Sequence, residues 1–136
     1  MCIRDSILIL DDEEIVSATV SQMIQVFGGA SEIAADGHWA LDYLESNSHS
    51  VDVFLLDWTM PVMSGRDVLI QLRQNHPSLP VIVMSGFTFA CDEWTADDPM
   101  RPDAVLQKPF RIDELCEIID TVASVDDGMK QKILSE

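Results

Sequence analysis

Five short runs of consecutive apolar residues, each closed by a polar group, do most to limit what this chain can fold into. Ile7-Leu8-Ile9-Leu10, Val53-Phe54-Leu55-Leu56 and Val81-Ile82-Val83-Met84 are continuous rather than alternating. That is the pattern of parallel strands covered on both faces. Ile33-Ala34-Ala35 and Ala104-Val105-Leu106 are shorter and predict two more strands. Segments of helical period lie between them. Val16, Val20, Met23, Ile24 and Phe27 share one helix face, which Gly28-Gly29 ends. Ala40, Leu41 and Leu44 predict a second helix after Asp36-Gly37, and Val68, Leu69 and Leu72 a third that stops before Pro77. Ile112, Leu115, Ile118, Ile119 and Val122 form the face of the last helix, after Lys108-Pro109 breaks the fifth strand. Residues 86–103, with Gly86, Pro99, Pro102 and a group of acids, read as irregular, and any helix there is short. Five β–α units predict an α/β fold: a doubly wound, five-stranded parallel sheet with helices on both faces.

A length of 136 residues fits one domain. Residues 6–125 carry the pattern, residues 126–136 read as a polar tail that frays, and residues 1–5 match no periodic element and read as a non-native edge. The chain ends soon after its last periodic helix, so no output domain is expected to follow. Acidic residues number 24 against 8 basic ones, a formal net charge of -16. That charge repels nucleic-acid phosphates and argues against direct nucleic-acid binding. It favours cations and basic partner surfaces. Cys2, Cys91 and Cys116 have no metal-ligand spacing and cannot all pair, so a reducing cytoplasm is the simpler setting. No apolar run approaches the roughly 18 residues of a membrane span.

In open parallel sheets ligands sit beyond the carboxyl ends of the strands. Strand one ends in Asp11-Asp12-Glu13-Glu14, strand three in Asp57, strand four in Ser85 and strand five in Lys108. One Asp after a strand is commonly just a helix cap. Four strand ends carrying complementary groups are hard to assign to capping. Clustered carboxylates repel unless a cation or proton compensates. Mg²⁺ fits such a group, because it takes oxygen ligands from one or two carboxylates together with a phosphate. Asp11, Asp12 and Asp57 are the candidate metal acids, and a backbone carbonyl after Asp57 can add an oxygen. Lys108 adds a positive charge that a metal site alone does not need, which points to a bound dianion. Ser85 can donate to the same group, and Gly86 leaves room for it. A carboxylate can act as a nucleophile and form an aspartyl-phosphate.

These residues resemble the receiver (CheY-like) domains of two-component response regulators over residues 6 to 125. The matching pieces are Ile7-Leu8-Ile9-Leu10-Asp11-Asp12-Glu13, Leu55-Leu56-Asp57-Trp58-Thr59-Met60-Pro61 with Ser64-Gly65, Val83-Met84-Ser85-Gly86, and Lys108-Pro109-Phe110. The resemblance implies a flavodoxin-like strand order 2-1-3-4-5. It implies that Asp57 is phosphorylated from a phosphohistidine on a histidine kinase or histidine phosphotransfer protein. Mg²⁺ would sit on Asp12, Asp57 and the Thr59 backbone carbonyl, with Asp11 acting through water, while Ser85 and Lys108 contact the phosphoryl group. The protein would be a cytoplasmic switch for an unknown output partner. It would not be a turnover enzyme, since it catalyses only its own phosphorylation and dephosphorylation. The sequences around Asp57 and Lys108 also look like the terminal receiver of a hybrid histidine kinase.

Two departures bear on the output. Val105 stands three residues before the lysine, where the family usually has an aromatic, and the Pro99–Pro102 segment is atypical. Phe87 is expected near the phosphoryl group, shielding it from water. Trp58 is either a site-lining or a packing aromatic. His38, His49 and His76 read as surface residues, and Trp39 and Trp94 do not define a patch. The alternatives are a Mg²⁺-dependent aspartyl-phosphate phosphatase and a phosphorylation-independent adaptor. Thr59 stands where such phosphatases carry a second acid, and the intact acids and lysine disfavour an adaptor. Neither a G-x-G-x-x-G nor a P-loop follows strand one.

Overall fold

The structure is a computed structural model that describes residues 6–47, 50–58, 60, 63–86, 100–108 and 110–135. Its elements run β1 (Ser6–Leu10), α1 (Glu14–Val26), β2 (Ala30–Ala34), α2 (Gly37–Asn47), β3 (Val53–Asp57), α3 (Gly65–Asn75), β4 (Val81–Ser85), β5 (Ala104–Gln107) and α4 (Ile112–Ser135). The strands form one parallel sheet in the order β2-β1-β3-β4-β5.

Continuous apolar runs suit this sheet because successive side chains leave a strand on opposite faces. Leu8, Leu10, Phe54, Leu56, Val81 and Val83 point to one face, against Ala40 and Leu44 of α2 and Val68, Leu69 and Leu72 of α3. Ile7, Ile9, Val53, Leu55, Ile82 and Met84 point to the other, against Val20 and Ile24 of α1 and Leu115, Cys116, Ile119 and Val122 of α4. Each fully buried Leu, Ile or Phe contributes about 1.5–3 kcal/mol.

The end of α1 follows from its glycines. Gly28 has a φ of 89°, a left-handed conformation that costs glycine little. Its N–H reaches the Gln25 carbonyl, and the Gly29 N–H reaches that of Ile24. The pair is a Schellman cap. At the start of α3, the Ser64 hydroxyl accepts from the Asp67 N–H at 3.2 Å.

Two boundaries differ from the sequence reading. β2 begins at Ala30 and ends at Ala34, leaving Ala35 outside. As an edge strand it is exposed over much of its length and buries only Ala34, so apolar patterning marks it poorly. The last helix runs on to Ser135, where a fraying tail was expected from residue 126. No proline interrupts residues 112–135, so no backbone donor is missing from the helical ladder there. Among the described residues no helix is long and apolar enough to cross a membrane.

Candidate functional site

β1 lies between β2 and β3, so the chain winds outward in opposite directions on either side of it. In open parallel sheets ligands sit at the carboxyl ends of the strands on either side of such a switch, here β1 and β3. Asp11 and Asp12 follow β1 and Asp57 ends β3 there. β4 and β5 bring Ser85 and Lys108 to the same edge. The ladder continues one step beyond the strands: the Trp58 N–H donates to the Met84 carbonyl at 2.9 Å, and the Lys108 N–H to the Ser85 carbonyl at 2.7 Å. The residues after β3 and β5 are thereby both fixed on β4.

Asp11, Asp57 and Ser85 are buried, at 3%, 3% and 1% exposure, despite being polar. One carboxylate oxygen each from Asp11, Asp12 and Asp57 falls within 4.8 Å of the others. Asp12 is exposed and closes the group from the solvent side. Lys108 Nζ lies 2.7 Å from Asp11 Oδ2 and 3.3 Å from Asp57 Oδ1. Glu13, at the rim, approaches it to 3.9 Å. Asp11 has a second contact, accepting the Glu13 N–H on Oδ1 at 2.9 Å. Thr59 and Pro109 lie outside the described residues.

Burial pushes the Asp57 carboxyl up to about 7, reinforced by the charge of Asp11 and a hydrogen bond with Asp12, and opposed by Lys108. For Lys108, burial acts to lower the pKa. The Asp11 hydrogen bond and the charges of Asp57 and Asp11 outweigh it, so the net direction is upward. One ammonium among three carboxylates leaves the cluster short of positive charge. A hard divalent cation with oxygen ligands fits this donor set.

Gly65 shows why the approach to α3 takes the smallest residue. A Cβ there would sit 2.6 Å from Trp58 Cα and 2.7 Å from the Asp57 carbonyl oxygen. Among the described residues, a Cβ at Gly86 would meet nothing within 4 Å.

The other singled-out residues sort as follows. Trp58 is half-buried and packs, with Val105, against the core beneath α2 and α3. Trp39 is 39% exposed and stacks on Tyr43 with ring centroids 5.1 Å apart. His38 is exposed, and His76 is half-buried at the end of α3. Cys116 is buried in the core. Cys2, His49, Phe87, Cys91, Trp94 and Pro99 lie outside the described residues. The sequence reading missed that Asp11 holds Lys108 directly. A contact between residues 97 positions apart has no local signal.

Comparison with known proteins bears on the same residues. The chain is 33% identical over 110 residues to the probable transcriptional regulatory protein TcrX of Mycobacterium tuberculosis, an alignment covering 81% of this chain and 46% of that protein. It therefore spans about half the length of that curated relative. A receiver domain structure (CheY-like) from Methanospirillum hungatei superposes with a TM-score of 0.82 at 23% identity, covering 93% of this chain and 99% of that one. Response regulator TrrA of Thermotoga maritima, solved in complex with Mg²⁺–BeF, superposes with a TM-score of 0.74 at 25% identity, over 87% of this chain and 98% of that one. The family described as response regulator receiver domain matches residues 7–120. With the strand order 2-1-3-4-5 and the cluster of acids at its switch point, that match makes the chain a member of the receiver domain family of two-component response regulators.

Proposed function

We propose that this receiver is a phosphorylation switch in which Asp57 takes a phosphoryl group from a phosphohistidine on a histidine kinase or histidine phosphotransfer protein. The observation that carries this reading is the position of Asp57. Its carboxylate is buried and 3.3 Å from the Lys108 ammonium, with two further acids beside it. In the transfer, an Asp57 oxygen forms a bond to phosphorus as the P–N bond of the donor breaks. The electron pair returns to the imidazole nitrogen, which then takes up a proton. Lys108 is placed to exchange its Asp57 contact for a phosphoryl oxygen, and the Ser85 hydroxyl to donate to another. Asp12, Asp57 and the Thr59 carbonyl would hold Mg²⁺, with Asp11 acting through water. The ion would supply positive charge that offsets the acids and the incoming dianion. The Mg²⁺–BeF complex of TrrA supports this choice of metal.

Output is proposed to pass through the surface above β4 and β5 to a partner protein. Val105 offers no aromatic ring to follow the phosphoryl group, so movement of the Ser85 hydroxyl carries the change. The net charge of -16 disfavours nucleic acid as the direct partner. The chain is taken to act in the cytoplasm and to modify only itself. Incubation with Mg²⁺ and acetyl phosphate should give an acid-stable, base-labile adduct on the native chain and none on Asp57→Asn. Equal labelling of both proteins refutes the reading. Sustained release of phosphate from monoesters would instead favour the phosphatase alternative.

A further inference from the structure

β5 is the least secured strand that reaches the site. It has four residues, lies at the sheet edge, and buries only Leu106 among them. Hydrophobic patterning specifies the register of such a strand weakly, and a slip of one residue reverses every side chain. Yet it leads straight into Lys108, whose ammonium must reach Asp11 and Asp57. At its upper end the Lys108 N–H bond to Ser85 holds the register.

At its lower end an arginine with a largely buried side chain does so. The Arg73 side chain, on α3, is 9% exposed. Its guanidinium donates to the Leu79 carbonyl at 3.0 Å, the Arg101 carbonyl at 2.8 Å and Asp103 Oδ2 at 3.0 Å. The same Asp103 oxygen accepts the Val81 N–H at 2.7 Å, while the Asp103 N–H donates to the Val81 carbonyl at 2.8 Å. The first residue of β4 is therefore bonded twice to the residue preceding β5. One planar fork ties both to α3, a geometry that lysine cannot reproduce. Arg73 Nε is buried with no partner among the described residues, so the cluster is not fully satisfied.

We propose that Arg73, through Asp103, is a positioning residue for phosphoryl transfer: it sets the register of β5 and so the reach of Lys108 into the acidic site. The inference rests on the proposed phosphoacceptor role. It assigns a function to a cluster at the opposite end of the sheet from the chemistry. A displacement of about 1 Å in a charge that clamps a reacting group is enough to change rates strongly.

A double-mutant cycle with Lys108 tests it, read as affinity for Mg²⁺–beryllofluoride, the phosphoryl mimic, well below the melting temperature of every variant. Arg73→Met should weaken binding about tenfold in the native background. In a Lys108→Ala background it should cost less than about twofold, because the group it positions is gone. Asp103→Asn, which keeps the shape and the Val81 contact, should show the same dependence with a smaller loss. A purely structural role would lower the melting temperature and leave equal losses in both backgrounds. That result, or native affinity in both variants, overturns the inference alone. If the unaltered chain fails to bind Mg²⁺–beryllofluoride, the phosphoacceptor reading falls and the inference with it.

Discussion

The central and edge strands of the sheet are built on different terms. β3 and β4 are buried at every position, from Val53 to Asp57 and from Val81 to Ser85. β2 and β5 each bury a single residue, Ala34 and Leu106. The central strands take their stability from two packed faces and tolerate little change. The edges rely on backbone ladders and, for β5, on polar clamps at both ends. The same burial that secures β3 has a cost at its last residue, because it places the Asp57 carboxyl where water solvates it poorly and other acids crowd it. The most stable part of the sheet therefore carries its least comfortable charge. That combination suits the phosphoacceptor role proposed for Asp57, which needs a group rigidly placed and ready to accept positive charge.

Three changes break or sharpen this contrast. The largest effect is expected at the centre. Phe54→Ala removes one of the largest fully buried side chains and should lower the unfolding free energy by about 3–5 kcal/mol. Chemical denaturation measures this, and a loss below about 1 kcal/mol would show that the centre is not the dominant core.

Asp57→Asn should act in the opposite direction. The folded-state pKa of Asp57 is raised from 3.8 to about 7, so the folded protein holds a proton that the unfolded chain has released. Its contribution to stability is complete below 3.8 and is lost as pH rises through about 7. Without divalent cations, the melting temperature of the native chain should fall between pH 5 and 8. Asp57→Asn should flatten that dependence and add on the order of 2 kcal/mol at the upper end. Mg²⁺ should recover much of the difference, with affinity that declines as protons compete below about pH 7. A flat native profile would mean that Asp57 ionises without penalty.

The smallest effect belongs to the edge. Ile33 is 42% exposed on β2, and Ile33→Thr should change stability by no more than about 0.5 kcal/mol in equilibrium unfolding. A larger loss would show that the edge is covered in solution.

The same division governs how far the sequence could be interpreted. β1, β3 and β4 fall within a residue of their apolar runs, since a strand buried on both faces must be apolar throughout; β5 does so as well, although it buries only Leu106. β2 is displaced because Ala30-Ser31-Glu32 looks like a loop to any argument from hydrophobicity. Its strand character comes from pairing with β1, from Ser6↔Ala30 to Leu10↔Ala34. At the site, Asp11, Asp12, Asp57, Ser85 and Lys108 were all visible as polar residues closing apolar runs. The direct bond from Lys108 to Asp11 was not visible, nor was the Arg73–Asp103 clamp. Both join distant segments through side chains whose neighbours carry no periodic signal.

Sequence alone thus determined the α/β class, the faces of the helices and the residues at the carboxyl ends of the strands. Those features follow from local period and from the need to keep apolar side chains out of water. Tertiary structure decided which carboxylate holds the lysine, why the Asp57 carboxyl is pushed above the usual carboxylate range, and what fixes an edge strand with little core of its own. Distance and burial set those outcomes, and neither exists until the sheet has closed around its acidic edge.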